Sequence, residues 1–210
     1  MFIPYKDENP TARFAVVSLL LVIANCAAFV FQVFGPGGFE AVTSRFAFSP
    51  AFLGGSAEAP GAVALYTLVS YMFCHGGVSH LGFNMLFLWI FGNNVEDRMT
   101  RGRYLVFYLI TGIVAALAFA AQSPGEDVPL VGASGAVSGV LGAYLFMFPL
   151  ARIHVWMLFF TLRMRAFMFL PIWFFLQLSG LLGGSDGIAW ISHIAGFIAG
   201  ALLFKLFTVD

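Results

Sequence analysis

Two uncharged stretches decide the fold of this chain: VGASGAVSGVLGAYLFMFPL at residues 131–150 and IAWISHIAGFIAGALLF at residues 188–204. Both are apolar over a length that nearly crosses a bilayer, whose hydrocarbon core needs about 20 helical residues. Each also repeats glycine at an interval of four residues, as at Gly196 and Gly200. Helices with such small-residue faces approach each other closely inside a membrane. We therefore expect these segments to be membrane-spanning helices that pack against each other.

The composition of the whole chain also indicates a lipid environment. Of its 210 residues, 60% are hydrophobic and only 10% are charged, and the mean hydropathy is +0.93. A soluble domain carries roughly a quarter charged residues, so this chain has too few charges for an ordinary water-facing surface. The net charge is zero and gives no reason to expect a nucleic-acid partner. The composition therefore predicts an integral, multi-pass membrane protein that contacts bilayer lipid.

Stretches without Asp, Glu, Lys or Arg predict six membrane-spanning helices, because a backbone in lipid must satisfy its own hydrogen bonds. These stretches lie near residues 14–34, 70–94, 104–122, 133–150, 166–182 and 188–204. A long outer loop, residues 35–66, separates the first two spans and is expected to have a functional role. We expect residues 1–210 to form a single all-α domain, a bundle of six transmembrane helices.

The basic residues predict the orientation of this bundle. One side of the membrane receives nine of the ten Lys and Arg side chains, and the other side receives Arg45. The nine are Lys6, Arg13, Arg98, Arg101, Arg103, Arg152, Arg163, Arg165 and Lys205. Basic residues accumulate on the cytoplasmic side, so we expect both termini there. We also expect the protein in the cell (inner or plasma) membrane. The segment 151–165, which alternates apolar residues with cations, is expected at the cytoplasmic interface.

A few polar side chains stand out inside the predicted spans, where an ionisable group costs roughly 2.5–3.5 kcal/mol when charged and is by default a functional candidate. They are His75, His80, Asn84, Ser134, Ser138 and His193. The second, fourth and sixth spans all run from outside to inside. His80, Asn84, Ser134 and His193 therefore come at a similar depth, in the outer part of the bilayer.

The spacing of these residues suggests a common site. His80 and Asn84 are four residues apart and share one face of a helix. If the glycine faces of the fourth and sixth spans meet, Ser134 and His193 come within hydrogen-bond reach. A hydroxyl is a weak nucleophile and needs such an adjacent base. The pattern therefore predicts a serine nucleophile activated by a histidine.

Three motifs in this chain resemble the signatures of the rhomboid intramembrane proteases. They are HGGVSHLGFN at 75–84, VGASGAVSG at 131–139 and HIAGFIAG at 193–200. They occur in the order typical of that family, and the resemblance covers about residues 65–205. Their combination is specific, whereas a lone Gly-x-Ser-Gly is not.

The resemblance implies a site and an activity. Ser134 would be the nucleophile and His193 the general base of a dyad that has no catalytic carboxylate. His80, Asn84 and Gly132 would stabilise the oxyanion. The substrate class would be transmembrane segments of other membrane proteins, cleaved near the outer face of the bilayer by a serine endopeptidase. No cofactor and no metal is implied.

Three other interpretations remain open at this level. A catalytically inactive rhomboid-like protein would bind membrane clients instead of cleaving them, although such relatives usually lose the serine or the histidine. A small transporter would need an inverted repeat or broken helices, which the sequence does not display. A metal site could be built from His80, His193 and either His75 or Asn84, but apart from Cys74 no carboxylate or thiol is placed to complete an ordinary zinc set, and we disfavour it.

Overall fold

A computed structural model of the chain describes residues 2–54, 61–183 and 188–209, and these residues are mostly helical. The helices are α1 (Val16–Phe34), α2 (Gly38–Phe46), α3 (Ala51–Gly54), α4 (Gly61–Ser70), α5 (Val78–Asp97), α6 (Arg101–Gln122), α7 (Ser134–Met147), α8 (Ala166–Gly183) and α9 (Trp190–Phe207). The strands are β1 (Ile3–Asp7), β2 (Arg152–Met157) and β3 (Phe160–Arg165).

Four helices in the described part of the chain are long and apolar enough to cross a membrane, namely α1, α6, α8 and α9. The helix α7 is apolar but has only 14 residues, and α5 has 20 residues but carries polar side chains along its length. The protein is therefore an integral, multi-pass membrane protein. The count of six spans and the cytoplasmic position of both termini remain predictions.

The bounds of the second predicted span, 70–94, differ from those of the helix that forms there. The helix α5 begins at Val78 and continues to Asp97, and a short 3₁₀ turn followed by residues 74–77 separates it from α4. Two adjacent glycines in that connection disfavour a continuous helix. The predicted outer loop 35–66 contains α2, α3 and the start of α4, and its residues 55–60 lie outside the described residues.

A buried carboxylate explains why α5 extends beyond its apolar stretch. Glu96 is only 4% exposed. It accepts hydrogen bonds from the backbone N–H groups of Val17 and Ser18 at 2.9 and 2.8 Å, and from the Ser18 hydroxyl at 2.9 Å. The first N–H groups of a helix have no partner within that helix and carry partial positive charge. Glu96 therefore caps α1 and fixes it against α5.

The expectation of an all-α chain is wrong in one region. The predicted interfacial segment forms an antiparallel hairpin of β2 and β3, and β1 pairs with the free edge of β2. In this second pairing Ile3 lies opposite Trp156 and Asp7 lies opposite Ile153. Alternating apolar and polar residues suit a strand, and pairing with the distant N-terminus supplies its hydrogen bonds. The result is a three-stranded sheet.

This sheet lies at the far end of α7 from Ser134. The Asp7 carboxylate accepts hydrogen bonds from the Tyr144 hydroxyl at 2.7 Å and from the Asn94 side-chain amide at 2.8 Å. Tyr144 follows Ser134 by ten residues, which is about 15 Å along a helix. The sheet therefore holds α5 and α7 together at the end of the bundle opposite Ser134.

The helix α7 lies in the core, and α9 packs along it through backbone contact. Residues 135–144 of α7 are all buried. A methyl group added at Gly196 would overlap the carbonyl oxygen of Gly135, and one added at Gly200 would overlap that of Gly139. The predicted contact between the two glycine faces is therefore confirmed. Because no side chain separates the backbones here, the first turns of α7 and α9 are held close together.

Candidate active site

Ser134 and His193 are hydrogen-bonded neighbours. Ser134 is the first residue of α7, and His193 lies in the first turn of α9. The Ser134 Oγ atom lies 2.8 Å from His193 Nε2. The close packing of α7 on α9 places both side chains at the same end of the bundle, as expected from their similar predicted depth.

Gly132 occupies a position that requires glycine. Its φ is +117°, a conformation that other residues rarely adopt, and a methyl group added there would lie 2.7 Å from the His80 ring. The same methyl group would be 3.6 Å from Ser134 Oγ, so Gly132 lies between these two side chains. Its own N–H donates to the carbonyl of Tyr71 at 3.0 Å, which fixes the loop before α7.

His80 and Asn84 project from the first turns of α5. The Nδ1 atom of His80 accepts a hydrogen bond from the backbone N–H of Gly76 at 3.2 Å, so in the neutral ring Nε2 carries the proton. The Asn84 amide donates one hydrogen to the carbonyl of His80 at 3.1 Å and has a second hydrogen to donate. Both side chains can therefore act as hydrogen-bond donors.

A cavity of about 480 Å³ joins these groups. It lies between α5, α7, α8 and α9, and residues 129–131 complete its wall. Its polar side chains are Ser79, His80, Asn84, Ser134, Ser138, Gln177 and His193. Phe83, Phe87 and Trp173 supply much of its apolar lining. The volume falls in the range of about 300–1,000 Å³ that is common for ligand sites, which also combine an apolar lining with a few polar groups.

The structure places the other two polar residues of the predicted spans in supporting positions. The Ser138 hydroxyl donates to the carbonyl of Ser134 at 2.6 Å, one turn deeper in α7. His75 is completely buried, and Gln32 of α1 bonds both its N–H and its C=O at 3.0 Å. The rings of His75 and His80 are 5.2 Å apart, so His75 lies behind His80 as seen from the cavity.

Sequence reasoning missed Gln177 of α8. Its Oε1 atom lies 2.9 Å from His193 Nδ1, on the opposite side of the imidazole from Ser134. The rings of Trp173 and Trp190 also flank this imidazole, at centroid distances of 6.4 and 6.0 Å. The signal was available, because Gln177 is a strongly polar side chain within the predicted fifth span. It was overlooked because glutamine is neither a nucleophile nor an ionisable group.

The fold and the site define a class of protein. It is a multi-pass helical membrane protein that holds a hydrogen-bonded serine and histidine in a cavity between its helices. The family model for the Rhomboid domain matches residues 62–208 of the chain. Because this match covers well over half of the sequence, the chain belongs to the rhomboid family, and the resemblance seen in the three motifs is confirmed.

Individual relatives align with parts of the chain. It is 42% identical over 82 residues to "Rhomboid protease GluP" of Bacillus subtilis (strain 168), covering 39% of this chain and 16% of GluP. It is 36% identical over 140 residues to "RHOMBOID-like protein 5" of Arabidopsis thaliana, covering 66% of this chain and 42% of that protein. Identity to "Rhomboid-type serine protease 2" of Emericella nidulans is 30% over 133 residues, covering 63% of this chain and 25% of the relative. The aligned region thus spans less than half the length of each of these relatives.

Proposed function

We propose that this protein is an intramembrane serine endopeptidase with six transmembrane helices, cytoplasmic termini and a Ser134–His193 dyad. The observation that carries the proposal is the 2.8 Å hydrogen bond between Ser134 Oγ and His193 Nε2 inside a cavity between helices. Membership of a family whose named members include serine proteases supports it. The substrates would be transmembrane segments of other proteins, cut near the outer face of the cell membrane.

The geometry supports a two-step acyl transfer. His193 Nε2 takes the proton of the Ser134 hydroxyl while Oγ attacks the scissile carbonyl carbon, and the imidazolium then protonates the leaving amine. Water that enters the cavity hydrolyses the acyl-enzyme, with His193 again accepting and returning a proton. Because Ser134 begins α7, its backbone N–H has no partner within the helix and is available to the oxyanion. His80 Nε2 and the second amide hydrogen of Asn84 complete the donor set, and Gly132, which has no side chain, leaves the space beside Ser134 Oγ open.

The nucleophile can be identified by labelling with a fluorophosphonate, in which Oγ forms a bond to phosphorus and fluoride leaves. We expect the parent chain in detergent to be labelled and Ser134→Ala to be unlabelled. Ser138→Ala is the matched control, because Ser138 lines the same cavity one turn deeper and should remain labelled. Labelling that survives Ser134→Ala would place the nucleophile elsewhere, and an unlabelled parent would favour the inactive, client-binding alternative.

The oxyanion donors can be tested by the rate of cleavage. We define the reporter as a single transmembrane segment with a small residue near its outer end, reconstituted with the enzyme in proteoliposomes. Removing one preorganised donor costs about 10²–10³ in kcat in a measured case, so His80→Ala and Asn84→Ala are each expected to reduce kcat by that order. KM should change much less, because the donors act on charge that develops in the transition state.

The exposed Ser79, which lines the same cavity on α5, provides the control for this experiment. Ser79→Ala should leave kcat within about twofold of the parent value, because the Ser79 hydroxyl is not one of the groups assigned to the oxyanion. If His80→Ala and Asn84→Ala both retained more than half of the parental kcat, their assignment as oxyanion donors would be wrong.

A further inference from the structure

The side chain of Gln177 is held in one orientation. It is 8% exposed, and its Nε2 atom donates a hydrogen bond to the carbonyl of Trp173, one turn earlier in α8, at 3.1 Å. This bond directs the other end of the amide, the Oε1 atom, towards His193 Nδ1 at 2.9 Å. A carbonyl oxygen can only accept a hydrogen bond, so the hydrogen in this contact belongs to Nδ1.

The contact determines which nitrogen of His193 is free. A neutral imidazole carries one hydrogen, and with that hydrogen on Nδ1 the lone pair lies on Nε2. Nε2 is the atom that lies 2.8 Å from the Ser134 hydroxyl. We propose that Gln177 is a positioning residue that holds His193 in the Nδ1–H tautomer, the one form in which it can act as a base towards Ser134. This role rests on the proposed function.

The same contact also stabilises the charged form of the base. When His193 takes the proton from Ser134 it becomes an imidazolium, and hydrogen bonds from a charged donor are roughly twice as strong as neutral ones. The Gln177 oxygen therefore interacts more strongly as the reaction proceeds. Trp173 and Trp190 restrict the other motions of the ring from two sides. The described residues that line the cavity include no carboxylate, so an uncharged amide takes the place that an acid occupies in a catalytic triad.

The kinetic test compares two variants with matched shape. In Gln177→Met the side chain has a similar length but no strong hydrogen-bond acceptor. We expect kcat for the reporter segment to fall about tenfold or more while KM stays within about twofold of the parent value. The reason is that a base held in the wrong tautomer strongly inactivates serine proteases. Gln177→Glu keeps an acceptor oxygen at the same place and should retain most of the parental kcat at its pH plateau.

The pH profile adds a readout that a purely structural role would not change. Losing the acceptor makes the imidazolium less favourable, so the acid limb of kcat in Gln177→Met should move to lower pH. His80 of α5 is the other histidine of the cavity lining, and it is unchanged in Gln177→Met. Because neither glutamine nor methionine titrates, a shift of the acid limb between the parent and Gln177→Met reports on His193.

A spectroscopic readout does not depend on activity. In Ser134→Ala protein with ¹⁵N-labelled histidine, the His193 signals, assigned by comparison with Ser134→Ala/His193→Ala, should report the Nδ1–H tautomer. Gln177→Met should shift the population towards Nε2–H.

The proposal is overturned if His193 already carries Nε2–H with Gln177 in place, or if Gln177→Met changes neither tautomer nor kcat. It is also overturned if Gln177→Met and Gln177→Glu lower kcat equally and both also lower the melting temperature. Failure of the protease proposal would look different, since cleavage would then not depend on Ser134 while the tautomer remained Nδ1–H.

Discussion

Replacing His193 by alanine is expected to lower kcat for the reporter segment by about 10⁴-fold or more, which corresponds to about 5.5 kcal/mol of lost transition-state stabilisation. The reason is that, among the described residues, the base at hydrogen-bond distance from Ser134 Oγ is His193 Nε2 at 2.8 Å. Without that base the hydroxyl must attack with its proton still bound, and it is then a weak nucleophile.

The double variant makes this prediction more specific. Nucleophile and base act as one unit, so Ser134→Ala, His193→Ala and the double variant should all have the same residual rate. Cleavage is measured in proteoliposomes with identical enzyme content. His154→Ala is the matched control, because His154 lies on β2 and bonds Glu8 instead of a cavity residue. The dyad assignment fails if the effects of the two single variants multiply in the double variant, or if His154→Ala is equally inactive.

Replacing Gly200 by alanine is expected to destabilise the fold and to inactivate the site together. The added methyl group would overlap the carbonyl oxygen of Gly139, which belongs to the backbone of α7 and cannot rotate away. Overpacking of this kind costs about 1–3 kcal/mol, and α9 must move away from α7 to relieve it. His193 lies about two turns earlier on α9. A displacement of about 1 Å at a reacting group can reduce the rate 10²-fold, so the rate of fluorophosphonate labelling should fall as well.

Gly82 provides a control with the opposite expected sign. It lies within α5, and a methyl group added there would meet no atom within 4 Å. Because alanine is favoured over glycine in a helix by about 0.5–1 kcal/mol, Gly82→Ala should melt at the parental temperature or slightly above it. Melting is followed by tryptophan fluorescence in detergent micelles. An unchanged melting temperature for Gly200→Ala would mean that the two helices do not depend on this contact.

The sequence was informative where composition and periodicity act locally. Uncharged stretches placed the helices α1, α6, α7, α8 and α9 to within a few residues, because lipid excludes charged side chains from a spanning segment. The four-residue glycine spacing identified the faces of α7 and α9 that meet. The similar predicted depth of Ser134 and His193 then selected these two residues as a pair. Two of the errors occur where a distant partner changes the outcome.

Two such errors illustrate the limit. The predicted second span ended too early because hydropathy registers Glu96 as a charge, whereas in the fold the N-terminus of α1 compensates that charge. The chain was expected to be all-α, but the segment 151–165 forms the hairpin of β2 and β3, and β1, about 150 residues earlier in the chain, pairs with the edge of β2. Pairing over such a separation leaves no mark in local periodicity.

By itself the sequence determined that this protein resides in lipid, where most of its long helices lie in the chain, and which serine and histidine are candidates for chemistry, because these follow from local composition and spacing. Only the tertiary structure decided that Ser134 and His193 are in contact and that Gln177 faces the other side of the imidazole. A hydrogen bond between separate helices forms only if the donor–acceptor distance is correct to within a few tenths of an ångström. Those distances are set by backbone packing at Gly196 and Gly200, which no single helix specifies.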